Sequence, residues 1–362
     1  VFVIVKALRC LRSEREELTM PRKIAVDDIV NHARACRRAT PSLALRAEVE
    51  RHRARFDAAH VVRPDARLNI FNFHVTVPAS HRVIDYVDVK HDHWQFDYRK
   101  LASHMTWAAS TFNPFSQVVF VTSEDEPGPE THGDLTMVRV ASDAAAPMYE
   151  RVKAMAGYVL SDAFDRDTAF LDTDAFPNRP LAPIFREEFD IGVTYRTTPG
   201  YMPLNEGVLF CRRASKDNVR RFFDAYLATY EALRSDALIR EYYGNIDRWR
   251  GGQLSLNAVA LPKQMPGCGT WCSDGISIRM FPCNDYNYWV QPKNLGKRPK
   301  SWDRKFVLHL KGDSKWLVDE VIAYQFQRGR SSRATGGVAA AETPAPDATA
   351  AGASPDIVVR PQ

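Results

Sequence analysis

The sequence predicts an α/β protein, a mostly parallel central sheet with helices on its flanks. Two observations carry that expectation. Between about Arg67 and Arg328, short apolar runs of strand length alternate with longer amphipathic stretches, the pattern of repeated strand–helix–strand units. The chain has 362 residues and is 45% apolar, enough to bury a full core in one large domain.

Three zones follow in order. Residues 1–66 read as a basic, helical N-terminal extension of two or three short helices, with Thr40-Pro41-Ser42 as a start signal. Residues 67–328 carry the alternating pattern. Strands are expected at Leu68 to Val77, Gln117 to Thr122, Leu135 to Val140, Thr168 to Leu171, Phe189 to Tyr195, Gly207 to Arg212, Ile276 to Phe281 and Phe306 to Leu310. Helices are expected at Tyr98 to Ser110, Met148 to Ala163, Lys216 to Leu233 and Gln253 to Leu261. Residues 329–362 collapse to Ala, Pro, Thr, Ser and Gly, a composition that predicts a disordered tail.

The net charge is +5, and Val1 to Arg67 alone holds 15 basic against 9 acidic residues. The groups Arg34, Arg37, Arg38 and Arg51, Arg53, Arg55 suit either a solvated helix face or peripheral contact with an anionic membrane surface. No recognised motif accompanies the charge, so nucleic acid is not an expected partner. No apolar run reaches the roughly 18 residues of a membrane span, and Arg9, Arg12, Glu14 and Arg15 interrupt the apolar opening. The expected location is cytoplasmic, and Met20 before Pro21-Arg22-Lys23 is a candidate start. Six cysteines do not make a secreted disulfide framework; Cys268, Cys272 and Cys283 lie close together but lack a fourth metal ligand at a familiar spacing.

The chemistry concentrates where an apolar strand, Thr168-Ala169-Phe170-Leu171, runs straight into Asp172-Thr173-Asp174. Residues i and i+2 of an extended chain point the same way, so both carboxylates can face one point. Like charges placed so repel unless a cation compensates, and hard oxygen ligands suit Mn2+ or Mg2+. Taken alone, the pair fits a capping turn equally well. The other Asp-x-Asp, Asp165-Arg166-Asp167, reads as a solvated turn. A second motif, His309-Leu310-Lys311-Gly312-Asp313-Ser314-Lys315-Trp316, ends a late strand. Its imidazole can complete a metal site, Gly312 allows close backbone approach, Lys315 supplies charge for phosphate, and Trp316 can anchor the loop.

At these residues the chain resembles a known family. Leu171-Asp172-Thr173-Asp174 resembles the Asp-x-Asp motif of GT-A glycosyltransferases, and His309-x-x-Gly312-x-x-Lys315-Trp316 is similar to the His-x-x-Gly-x-x-Lys-Pro-Trp signature of the glycogenin-like, retaining family 8 enzymes. Asn205-Glu206-Gly207-Val208-Leu209-Phe210 matches the strand that follows the metal motif in this group. The resemblance covers about Leu68 to Trp316. It implies a GT-A, Rossmann-like fold and transfer of a sugar from a nucleotide-diphosphate donor, expected to be a UDP-sugar, to a glycan or other acceptor with retention of configuration. It implies Asp172, Asp174 and His309 as ligands of Mn2+ or Mg2+, with Gly312, Lys315, Arg151, Lys153 and Thr173 at the nucleotide. Asn205 and Gly207 would line the sugar site, with Gln253 and Asn205 as catalytic candidates. Two positions depart from the pattern: Gly252 replaces the Asp that usually precedes Gln253, and the Pro between Lys315 and Trp316 is missing.

Weaker signals are His91-Asp92-His93-Trp94, read as an exposed loop or metal ligands, and Tyr286, Tyr288 and Trp289, read as core packing or an acceptor-stacking surface. Two alternatives stand beside the transferase reading: a catalytically inactive GT-A-fold binding protein, and a haloacid dehalogenase-type phosphatase. The phosphatase motif normally ends the first strand and places Thr or Val where this chain has Phe176.

Overall fold

The computed structural model describes residues 26–76, 98–130, 134–196, 202–248, 250–262, 269–291 and 301–334. The His91-Asp92-His93-Trp94 cluster, Cys268, residues 1–25 and residues 335–362 lie outside the described residues.

Eight strands form one sheet: β1 (Leu68–His74), β2 (Ser116–Ser123), β3 (Leu135–Val140), β4 (Thr168–Leu171), β6 (Ile191–Tyr195), β7 (Leu204–Cys211), β8 (Thr270–Ser273) and β9 (Ile276–Pro282). Their order is β3-β2-β1-β4-β7-β6-β9-β8. The pairings run β3, β2, β1, β4, β6 and β9 in one direction, with only β7 and β8 reversed. The sheet is therefore mostly parallel, as expected. Alternate side chains face opposite cores. Phe71, Val119, Phe170 and Leu209 join one apolar cluster, while Ile70, Val118, Leu171 and Val208 join the other.

The first cluster packs against helices α1 (Val26–Ala35), α2 (Leu43–Ala59), α4 (Pro147–Leu160), α5 (Lys216–Ser235) and α7 (Gly251–Ala260). The second packs against α3 (Tyr98–Phe112) and the start of the last helix, α9 (Val318–Ala334). Two short helices, α6 (Ala237–Tyr243) and α8 (Cys283–Tyr286), also lie among the described residues.

Two expected boundaries differ from the structure. The N-terminal helices share the main core, because Ile29, Ala33, Leu45, Val49 and Phe56 are buried in it. Ser42 caps α2 by accepting from Leu45 N–H at 3.2 Å, as its sequence signalled. The helix then lies so close to α4 that a Cβ on Gly157 would sit 2.6 Å from His52 Cβ. Of the arginines in this segment, Arg34 reaches inward to Leu261 O and Pro262 O, while Arg37, Arg53 and Arg55 form surface ion pairs with Asp274, Glu50 and Glu124. At the other end, α9 runs past the composition break at Gly329 to Ala334. Gly329 itself packs on α3, where a Cβ would come 3.1 Å from Thr111 Cγ2. Among the described residues, no helix is long and apolar enough to cross a membrane.

A second, small sheet positions the site. Strands β5 (Ala175–Pro177), β10 (Tyr288–Trp289) and β11 (Val307–His309) assemble in the order β10-β11-β5. β5 continues the chain directly after the Asp172-Thr173-Asp174 turn, and β11 pairs with it antiparallel, setting His309 opposite Ala175.

Candidate active site

Each acidic residue is held by the strand neighbours of β4. Asp172 N–H donates to Gly207 O of β7 at 2.9 Å, and Asn72 of β1 donates its amide to Leu171 O at 2.8 Å. Thr173 turns its hydroxyl to β1, donating to Phe73 O at 3.1 Å. Leu310 N–H donates to Asp174 O at 2.9 Å, which fixes β11 against the turn. By these backbone bonds a histidine 135 positions beyond Asp174 is brought beside it.

Three ligand atoms converge. His309 Nε2 lies 3.0 Å from Asp174 Oδ1 and 3.8 Å from Asp172 Oδ2, and one ligand atom from each of the three residues lies within 4.8 Å of the other two. The other oxygen of each carboxylate is held by a protein cation: Asp172 Oδ1 by Arg151 at 2.9 Å and Asp174 Oδ2 by Lys315 at 2.5 Å. Burial alone would raise the Asp174 carboxyl. Lys315 and His309 outweigh it and hold that carboxyl well below the usual range.

The imidazole tautomer follows from its other nitrogen. Asn287 donates Nδ2–H to Asn205 Oδ1 at 2.6 Å and to Thr194 Oγ1 at 2.8 Å, so its Oδ1 faces His309 Nδ1 at 2.7 Å as an acceptor. Nδ1 must then carry the proton. Nε2 is left with a lone pair toward the carboxylates, and burial lowers the His309 pKa despite Asp174 beside it. A lone pair facing two carboxylate oxygens is an arrangement that a cation satisfies. The donor set, two carboxylate oxygens and one imidazole nitrogen, fits Mn2+ or Mg2+.

Gly207 is the floor of this arrangement. A Cβ there would lie 2.4 Å from His309 Cε1 and 2.6 Å from Asp172 Oδ2. The sugar-site candidates meet one another next to it: Asn205 donates to Gln253 Oε1 at 3.2 Å, and its own Oδ1 accepts from Gly207 N–H at 3.3 Å. Gly312 has φ +56°, and a side chain there would meet no protein atom within 4 Å, so backbone conformation sets the glycine.

Three of the expected nucleotide contacts are engaged by protein groups. Lys153 is two residues beyond Arg151 on α4, which turns it to a different face of the helix. There it pairs with Glu48 at 2.8 Å and Glu150 at 2.7 Å. Arg151 is buried and spends its guanidinium on Asp172, on Glu206 O at 3.0 Å and on Glu206 Oε2 at 3.4 Å, which makes it a clamp on carboxylates. Thr173, bonded to β1, positions the turn. Trp316 is 37% exposed, so it does not bury itself as an anchor. Of the aromatic trio, Tyr286 stacks on Phe306 with centroids 4.7 Å apart, and Tyr288 lies beside Lys305; Trp289 is the exposed one, at 45%.

Three residues that the sequence did not single out complete the site. Asn287 sets the histidine tautomer, and Lys311 Nζ lies 3.4 Å from Asn287 O, its amine lowered to about 8 by burial. Glu206 is buried, accepts from Tyr226 OH at 2.8 Å, and is pushed up to about 7 by burial, against Arg151 and with Asp172. Its Oε2 lies 1.9 Å from where a Cβ on Gly252 would be. Glu206 thus occupies the space that any side chain at position 252 would need. Simple alternation hides this, because β7 bulges against β6: Val193 pairs with Leu209 while Thr194 pairs with Asn205.

No protein-family model and no curated protein matches the chain. Solved structures are similar at low identity. One is a glycosyltransferase involved in glycosylation of the major capsid of PBCV-1, with 12% identity, covering 71% of this chain and 98% of that one at TM-score 0.40. Another is the glycosyltransferase GlyE of Streptococcus pneumoniae TIGR4, with 11% identity over 75% of this chain and 64% of that one, TM-score 0.43. A third is the galactosyltransferase LgtC in complex with donor and acceptor sugar analogues, with 11% identity over 72% of this chain and 95% of that one, TM-score 0.40.

Proposed function

We propose that the chain is a metal-dependent glycosyltransferase that moves a sugar from a nucleoside-diphosphate donor, a UDP-sugar first among those to test, to a glycan or other acceptor with retention of configuration. The observation that carries this reading is the convergence of Asp172 Oδ2, Asp174 Oδ1 and His309 Nε2, drawn from two distant segments and backed by Asn287. Asp172, Asp174 and His309 would hold Mn2+ or Mg2+, with the imidazole favouring Mn2+. When bound there, such an ion would supply positive charge to the diphosphate of the donor. Lys315 works from beside it: an ammonium has three N–H donors, and Asp174 takes one. Arg151 and Glu206 keep Asp172 oriented. Asn205 and Gln253, bonded to each other, offer amide groups on the sugar side, and Trp289 offers an exposed ring against which an acceptor sugar can pack.

A thermal-shift panel of UDP-, GDP-, ADP- and CMP-sugars with and without Mn2+ tests this reading. The expected result is stabilisation by one nucleotide class that requires Mn2+ and disappears in His309→Ala. Stabilisation by phosphate analogues alone would indicate a phosphatase instead. Metal-dependent nucleotide binding with no sugar transfer or donor hydrolysis would leave an inactive binding protein.

A further inference from the structure

A second set of donor atoms lies away from this site, where α1 meets the junction of α5 and α6. Cys36 directly follows α1, and its N–H still bonds to His32 O at 3.1 Å, so the two side chains stack one helical turn apart. Asp236 is the single residue between α5 and α6, and its Oδ1 caps α6 by accepting from Ile239 N–H at 3.0 Å. The three side chains meet: His32 Nε2 lies 3.0 Å from Asp236 Oδ1, Cys36 Sγ lies 3.4 Å from Asp236 Oδ2, and Sγ to Nε2 is 3.7 Å.

We propose that His32, Cys36 and Asp236 form a Zn2+ site that staples the first described helix to the α5–α6 junction. The edges of the triangle support it. With Zn–S of about 2.3 Å and Zn–N and Zn–O of about 2.0 Å, three corners of a tetrahedron stand about 3.3 to 3.6 Å apart. His32 faces Asp236 Oδ1 and Cys36 faces Oδ2, so seating an ion takes a small turn of the imidazole or the carboxylate that brings Nε2 and Sγ to the same oxygen, Oδ2, while Oδ1 keeps the helix cap. The fourth corner falls to water, since all three residues are only partly buried. The ligand types separate this site from the other. A thiolate beside an imidazole selects a borderline-soft ion, whereas two carboxylates and one imidazole suit Mn2+ or Mg2+. The helix cap works as a support, because Ile239 N–H fixes the Asp236 carboxylate before any ion arrives. The consequence is a tie between segments 200 residues apart, strengthening the packing of Ile29 and Ala33 in the core.

The test uses the full chain and Co2+ in place of Zn2+. A cobalt–thiolate charge-transfer band in the near ultraviolet reports sulfur ligation, which the Asp172–Asp174–His309 site cannot give. The band is expected in the parent chain and in His309→Ala, and it disappears in Cys36→Ser. Asp236→Asn keeps the helix cap but weakens the band. Zn2+ raises the melting temperature of His309→Ala, and leaves that of the double variant His309→Ala, Cys36→Ser unmoved. No cobalt band in the parent, or a band that survives Cys36→Ser, overturns the proposal. Because His309→Ala removes the other site, failure here and failure of the transferase reading are separately visible.

Discussion

Replacing Gly207 with alanine puts a methyl group into the narrowest part of the site. The new carbon would stand 2.4 Å from His309 Cε1 and 2.6 Å from Asp172 Oδ2. To restore 3.0 Å the imidazole must retreat by about 0.6 Å, and to restore ordinary contact by about 1 Å. His309 cannot retreat freely, because Asn287 holds Nδ1 and the β5–β11 pairing holds its backbone. The cost divides into about 1 to 3 kcal/mol of overpacking and a misplaced ligand. A displacement near 1 Å costs on the order of 100-fold in turnover when geometry controls the reaction. The assay is a Mn2+ titration of donor turnover with chemical denaturation alongside, and Gly192→Ala is the control. A Cβ at Gly192 would meet Phe281 at 2.7 Å and Phe210 at 3.0 Å, which is crowding within the core. Gly192→Ala is expected to lose stability with unchanged Mn2+ dependence, and Gly207→Ala to lose metal affinity as well. Equal Mn2+ affinity in Gly207→Ala and the parent would refute the reasoning.

Further outcomes follow from the same contacts. Asp174→Asn removes a ligand and strands the buried ammonium of Lys315; it is expected to abolish metal-dependent turnover and to cost about 3 kcal/mol on unfolding, part of which Lys315→Met restores without restoring activity. Asn287→Leu leaves His309 Nδ1 without its acceptor, and calorimetry should show Mn2+ affinity falling about 10- to 100-fold. Glu206 is pushed up to about 7 in the folded chain, above its ordinary 4.5. The folded state then binds the extra proton between those values, so its contribution to stability is present at low pH and is lost as pH rises through about 7. Denaturation across that window should show a decline that Glu206→Gln flattens. Lys153→Met is expected to lower stability by breaking the Glu48–Lys153–Glu150 cluster while leaving donor KM unchanged, and a raised KM would return Lys153 to the nucleotide.

Most of the sheet was legible because its strands are short apolar runs whose alternate residues fill two cores, as Phe71 and Ile70 do; the edge strand β8 is half exposed and gave no such signal. The meeting of Asp172, Asp174 and His309 was legible from residue type and from motif resemblance, since the acidic pair follows one apolar strand and the histidine ends another. Less legible was what surrounds them. Asn287 stands just after the short helix α8 and acts through a side-chain bond that no periodicity reveals. Glu206 sits in a bulge, where the two-residue alternation of a strand fails. The Lys153 partners were not legible, because the resemblance marks a helix as basic without saying which of its faces a residue occupies, and Glu48 and Glu150 lie on that face. The N-terminal helices read as a basic extension because their arginines dominate the composition, while the spacing of Leu45, Val49 and Phe56 marks a buried stripe.

The claim on which the rest depends is that one divalent ion binds between the Asp172-Thr173-Asp174 turn and His309. Anomalous diffraction at the manganese edge, from crystals grown with Mn2+ and UDP, measures this directly. The account predicts one strong peak within coordination distance of Asp172 Oδ2, Asp174 Oδ1 and His309 Nε2, touching the diphosphate. A nucleotide bound with no manganese at those atoms, or manganese bound only elsewhere, would contradict it.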